Sequence, residues 1–298
     1  MYGYRGARVF AIGCIILLIA SSTSLVNAAD VRSSHVPRDT YAGLQSLLFL
    51  SWDANATSKP IMPQGELRSI KIIVSFVEGG GFLAPLFAYL MRGRQVEVHL
   101  QITQKPDWCT ASLSSMTMAF SITSHLGTRS TYSTILSMAV SDKAPAYQLG
   151  SIGLRAQMDS LYGNFGLLRY MMGTTFETNM TIIPGYKGLL GVLLPEGNTF
   201  EAPPLATVNI PINVTNLGNG RTEVITNLSN PQNWSIDLPY SFDVNVGQTN
   251  QCIVQVITPT NFSGDYVFYI GFTPHFAENM SQGGNTIYLG FLIQCNSP

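Results

Sequence analysis

The sequence predicts an all-β chain, built as two tandem antiparallel β-sandwiches behind an N-terminal export signal. Three observations carry this. Short stretches rich in β-branched and aromatic residues recur between turn signals. Blocks of sequence repeat in constant order at an offset near 118 residues. The longest apolar run stands at the N-terminus, directly after two arginines.

Composition bounds the answer first. Of 298 residues, 16 are Lys or Arg and 17 are Asp or Glu, so 11% are charged, while 46% are hydrophobic. An average soluble domain carries about 25% charged residues. Low charge with high apolarity excludes a disordered chain. A formal net charge of −1 excludes the basic surplus that tracks nucleic-acid phosphates, so no nucleic-acid partner is expected. Arg5 and Arg8 precede an apolar stretch at 9–20 (VFAIGCIILLIA), followed by SSTSLVNA with Val26 and Ala28 at the small-residue positions of a cleavage site. Residues 1–28 therefore read as a signal peptide cut after Ala28, with Cys14 inside its core; the rival reading is an uncleaved anchor. The apolar stretches 44–52 and 81–91 are too short to span a bilayer and read as buried strands. No hydrophobic tail closes the sequence. The expectation is a secreted chain with no membrane span after cleavage, held at a cell surface by some other means if it stays there.

The elements follow in order. Residues 29–62 form an N-terminal strand and linker segment whose strand candidate is 41–52 (YAGLQSLLFLSW). It has no repeat partner. One reading completes the first sandwich as an edge strand; the other inserts it into a neighbouring subunit, because an apolar strand with open pairing groups is a template for another chain. Residues 63–182 and 183–298 are the two sandwiches. Apolar 69–77 (SIKIIVSFV) and then EGGGFLAP at 78–85 match 187–194 (KGLLGVLL) and then EGNTFEAP at 196–203. GRQVEV at 93–98 matches GRTEV at 220–224, and PDWCTASL at 106–113 matches PQNWSIDL at 231–238. Strand 135–140 matches 253–257, and 144–154 matches 261–272. The glycine run 79–81 reads as a linker or bulge. Trp108 and Trp234 fall at equivalent places, and a large ring is the usual filler between two sheets, so both read as structural core.

In the second unit an extended strand leads into NLGNGRTEV, then P-x-x-W-x-I-x-L, a Val246-Gly247-Gln248 turn, a strand, and N-F-S-G-D-Y-x-F. This order resembles the immunoglobulin-like domains grouped as NPCBM-associated and CARDB-like modules. Trp234, Gly247, Gly264 and Tyr266 stand at the matching positions, Asn233 replaces the usual glycine before the tryptophan, and Ile152 replaces the tyrosine in the first unit, where the match is weaker. Tandem modules behind a signal peptide, with many glycosylation sequons, resemble archaeal cell-surface proteins. The resemblance implies two immunoglobulin-like sandwiches and a surface location; it implies no reaction.

The candidate sites are sparse. Seven sequons, at Asn55, Asn179, Asn213, Asn227, Asn233, Asn261 and Asn279, support an exported, N-glycosylated face. Cys252 opens a strand and Cys295 ends the last one, so these two are expected to form a disulfide. Cys109 lies opposite Trp108 if its segment is a strand, and reads as a buried apolar residue or an intermolecular partner. His35, His99, His125 and His275 show no metal-ligand spacing, and His99 reads as solvent-facing. Neither a nucleophile elbow nor a phosphate loop is present, and no carboxylate pair stands out, so the expectation is no enzyme, no metal and no cofactor. What remains is a structural or adhesive surface protein, in a surface layer, filament or coat, with self-assembly, other surface proteins or glycans as partner classes. A carbohydrate-binding accessory module, using the Tyr-rich strand 266–272, is the alternative; a hydrolase with a site between the sandwiches ranks third. Few carboxylates also suggest an acidic or hot setting, because little net charge accumulates on acidification.

Overall fold

The structure, a computed structural model, describes residues 43–162 and 169–295. The expected signal peptide at 1–28, Cys14 and His35 lie outside the described residues. Within them the chain is all-β, with tandem β-sandwiches.

The first pair of sheets draws on residues 44–182. One sheet runs β4 (Cys109–Leu113), β6 (Arg129–Val140), β2 (Leu67–Gly80), β1 (Leu44–Ser51), β9 (Arg169–Met171), β8 (Leu161–Tyr162). The facing sheet runs β10 (Thr174–Ile182), β7 (Gly150–Met158), β3 (Gln95–Gln104), β5 (Thr117–Ser121). The second pair places β11 (Leu190–Leu193), β13 (Thr207–Asn216), β17 (Thr249–Ile257) and β15 (Ser235–Asp237) against β12 (Thr199–Ala202), β20 (Ile287–Cys295), β18 (Gly264–Phe276), β14 (Thr222–Ser229) and β16 (Ser241–Val244). A short β19 (Asn279–Gly283) turns back on β18. Each pair encloses its own core, the first around Phe76, Ile72 and Leu154, the second around Tyr266, Phe268 and Phe291. Alternation sets the faces: in β18, Tyr266, Phe268, Ile270 and Phe272 are buried, while Val267 and Tyr269 face outward.

The repeat is visible in the sheet orders. Strand β4 corresponds to β15, β6 to β17 and β2 to β13; on the facing sheets β3 corresponds to β14 and β7 to β18. The GR-V, P-x-x-W and later blocks thus fall on equivalent strands. The first block does not. Residues 69–77 lie in β2, whose counterpart is β13, whereas 187–194 carry β11, whose place in the first sheet is taken by β1. The sequence alignment slips by one strand there because both segments are short and apolar. Strand β1 therefore has a counterpart after all. It is an interior strand, antiparallel to β2 and parallel to β9 of its own chain, and not an edge.

Further corrections concern local structure. Residues 81–91 do not form a buried strand: α2 (Ala84–Met91) is a helix, opened by Pro85 at its first turn and following the glycine run that closes β2. A shorter helix, α1 (Ala54–Ser58), follows β1 and is capped by Asp53, whose carboxylate accepts from the Asn55 amide (2.9 Å). The Cys252–Cys295 disulfide is absent; both are buried free thiols, as is Cys109. Cys295 stands opposite Gly264, at the end of the sandwich where β17 finishes, while Cys252 stands opposite Ile212, five residues before Ile257. At about 3.3 Å per residue that is about 16 Å down the strand, whereas bridged Cα atoms lie within about 7 Å. Trp108 is only half-buried at the margin of the first core, while Trp234 is buried in the second.

Candidate functional site

The linker between the sandwiches, residues 183–189, is held from both sides. On the first unit Ile61 pairs with it as a parallel bridge: its amide donates to the Ile183 carbonyl (2.8 Å) and its carbonyl accepts from the Gly185 amide (2.7 Å). The Tyr147 amide donates to the Pro184 carbonyl (2.9 Å). On the second unit the buried side chain of Asn219 gathers three strangers. Its Nδ2 donates to the carbonyls of Ala144 and Gly185 (both 2.8 Å), and its Oδ1 accepts from the Lys187 amide (2.7 Å). The Asn219 carbonyl accepts in turn from the Ala146 amide (3.1 Å). Around this amide pack Tyr147, Tyr186 and Phe276, with both tyrosine rings 5.2 Å from the phenylalanine. Gly220 lies so close to Phe276 and Ala146 that a Cβ would collide with both. Tyr186 shares a hydrogen bond with Thr222 (2.9 Å), and burial pushes its phenol up against that bond. Lys187 Nζ reaches Asp142 (2.9 Å) and Gln64 (3.2 Å) on the first unit.

Domains of one chain move relative to each other unless their interface is well packed. Here two buried rings and three hydrogen bonds to one buried amide contribute on the order of 5 kcal/mol. These contacts tie the linker to both sandwiches and oppose free hinge motion at the junction.

The outer face of the second unit carries a second feature. Tyr269 on β18 stands opposite Gly290 on β20, and Tyr288 stands opposite Gly271. Each ring lies over the cross-strand glycine, and both rings are at least half exposed. The next strand places Asn227 opposite Gly271 and Ser229 opposite Tyr269. Two flat rings bordered by a neutral amide and a hydroxyl suit the apolar face and hydroxyl rim of a sugar.

Trp234 offers no such platform. It is stacked on Tyr266 at 3.9 Å and 15°, with Phe262 edge-on at 5.0 Å. Asn230 holds it, accepting from the Trp234 amide (3.0 Å) and the Tyr266 hydroxyl and donating to the Trp234 carbonyl (2.7 Å). Burial pushes the Tyr266 phenol up to about 12. An open groove of about 610 Å³ beside Trp234 is lined by Asn233 and Asn261, the two sequon asparagines that the fold brings together. Asn55, Asn179, Asn227 and Asn279 are exposed and scattered over other faces, and Asn213 is half-buried. Cys109 is buried, the first of its two expected readings, so that it and not Trp108 takes the core-facing position, and His99 is exposed beside Thr117 (3.2 Å). Among the described residues no cluster of His, Cys, Asp or Glu is arranged to hold a metal ion.

Sequence reasoning missed Asn219. The signal was present as the turn Gly218-Asn219-Gly220, but a turn asparagine and a junction asparagine look alike in sequence. Glu78 was also missed as a buried acid. Its carboxylate accepts from the Thr123 amide (2.9 Å) and hydroxyl (3.4 Å), and burial raises its pKa despite them.

No family model matches the sequence, and no curated protein matches it. Among solved structures, a PapD-like domain of human CEP192 is 11% identical, covers 37% of this chain and 86% of its own, and superposes with a TM-score of 0.31. The D0-D1 domain of intimin is 10% identical over 82% of this chain and 98% of its own, with a TM-score of 0.23. Domains 5-6 of the S-layer protein SbsC are 7% identical over 84% and 99%, again with a TM-score of 0.23. At these scores the likenesses carry nothing about activity.

Proposed function

We propose that this protein is a non-enzymatic structural or adhesive component of a cell exterior, N-glycosylated on its outward sequons. The observation that supports this reading is the clamped junction. A binding module on a flexible stalk has no need for Asn219 or for the aromatic packing of Tyr147, Tyr186 and Phe276, whereas a part that transmits force or sets a lattice spacing does. The neutral surface and the six exposed sequon asparagines fit a glycan-covered exterior. Electron microscopy of purified native material tests the reading. Filaments or a lattice, with a repeat set by the clamped pair of sandwiches, support it; monodisperse particles that stay separate at high concentration overturn it.

The Tyr269–Tyr288 platform favours a second reading, a carbohydrate-binding accessory module. Binding of a neutral oligosaccharide by the wild type, lost in Y269A/Y288A with unchanged thermal unfolding, would establish it. Glycan-array silence would remove it.

A further inference from the structure

We propose that the end of the first sandwich capped by α2 docks on an anionic lipid surface. The end is built for exposure of apolar bulk. Helix α2 buries Ala84, Ala88 and Met91 against the core, and turns Leu86, Tyr89 and Leu90 to the other side. These three, spaced i, i+3, i+4, share one face. Phe82, just before the helix, is 83% exposed, and the other three are each more than half exposed. Four large apolar side chains within nine residues, exposed among the described residues, form a patch that a soluble surface does not keep without use. Phe87 props the helix from behind, 5.4 Å from the Tyr170 ring.

Charge names the occupant. From Gly79 to Val96 the chain carries Arg92 and Arg94 and no acidic side chain. Arg129 opens β6 opposite Val77, at this same end, with its guanidinium on Ser75 (2.7 Å). The nearest acids along the neighbouring strands, Glu97 and Asp159, come after these arginines on the way into the sandwich, and Glu78 is buried. Apolar and aromatic side chains at a tip, with arginines behind them, are the arrangement by which a short helix seats in the headgroup region of a bilayer. At this end the Gly43 carbonyl accepts from the Gly81 amide (3.3 Å). The inference does not rest on the structural role proposed above; it concerns how the protein is held, and a filament subunit or a sugar binder can use it equally.

The test uses the full chain with an indole placed on the tip by L86W, and vesicles of brominated phosphatidylglycerol and phosphatidylcholine in equal parts. The expected result is quenching of the added emission by the anionic vesicles and little by phosphatidylcholine alone. Adding R92E/R94E to L86W should raise the lipid concentration needed by about tenfold or more. Absence of quenching overturns the proposal, as does equal quenching by neutral vesicles. A blue shift that grows with protein concentration in the absence of lipid, without quenching, assigns the patch to a second copy of the chain and also overturns it. If L86W does not fold, Y89W, on the same face, gives the same reading.

Discussion

Replacing Asn219 by alanine removes two donors from the carbonyls of Ala144 and Gly185 and an acceptor from the Lys187 amide. All three partners belong to the junction, so water does not replace the lost bonds without opening it. The expected loss is about 3 kcal/mol, a fall of about 10 °C in unfolding temperature, with faster hydrogen exchange at the Lys187 amide than in the cores. Glu78 sets a pH dependence of known sign. Its folded pKa is raised by burial, so the folded state holds the proton more tightly than the unfolded one. Its contribution is fully present below the ordinary glutamate value of about 4.3 and is lost as pH rises through the folded value. E78Q should therefore unfold at a higher temperature than the wild type at pH 7 and at nearly the same temperature near pH 3; calorimetry at both values checks it. How much of this scale was legible varies by residue. Asn233 departs from the glycine usual before the tryptophan, and its φ of +56° explains it: the position demands the left-handed region, which asparagine tolerates. Asn219 was not legible, because its partners lie 75 and 34 residues away in sequence.

Strand β1 shows what alternation decides at the scale of an element. Leu48 is 3% exposed and Leu47 is 47% exposed, so a one-residue slip would exchange core for solvent. L48A should cost about 3 kcal/mol and L47A less than about 1 kcal/mol, measured by denaturant unfolding. Because β1 pairs with β2 and β9 of its own chain, the loss in L48A should not depend on protein concentration; a concentration-dependent midpoint would mean that the strand pairs with a neighbour. Most strands were legible because β-branched runs between turn residues leave few alternatives, and four of the repeat blocks marked their equivalence. Two elements were not. Residues 81–91 (GFLAPLFAYLM) have no period-2 alternation, and a short apolar run does not distinguish a buried strand from a helix. Pro85 was the available sign, since it suits a first helical turn. The place of β1 was hidden because sheet order is a property of long-range pairing, and its counterpart β11 has four residues.

At the scale of the whole molecule, scarcity of charge has a calculable consequence. The described residues carry four salt bridges, Glu66–Arg68, Glu177–Arg155, Asp142–Lys187 and Asp243–Arg221, each with some solvent exposure. Such pairs contribute about 0–1 kcal/mol each, so acidification removes little through them. The two shifted carboxylates oppose each other. Burial alone would raise Glu66, but the Met62 amide and Arg68 outweigh it and hold the pKa below the ordinary value, so its contribution is present above that value and lost as pH falls through the lowered one. Glu78 acts in the other direction. Self-repulsion remains. With all carboxylates neutral, 16 Lys and Arg and 4 His leave 20 positive side chains, and a compact chain of this mass exposes about 12,000 Å². That is about one charge per 600 Å², or a mean spacing of about 25 Å, about three Debye lengths at physiological salt. Averaged over the surface, the charges of an acidified chain are therefore largely screened from one another. The unfolding temperature should change by less than about 10 °C between pH 7 and pH 3 at 0.15 M salt, measured by calorimetry on the glycosylated and the deglycosylated protein. Cooperative unfolding already complete at pH 4 in the glycosylated form would show that a buried group, and not the surface, governs the acid response.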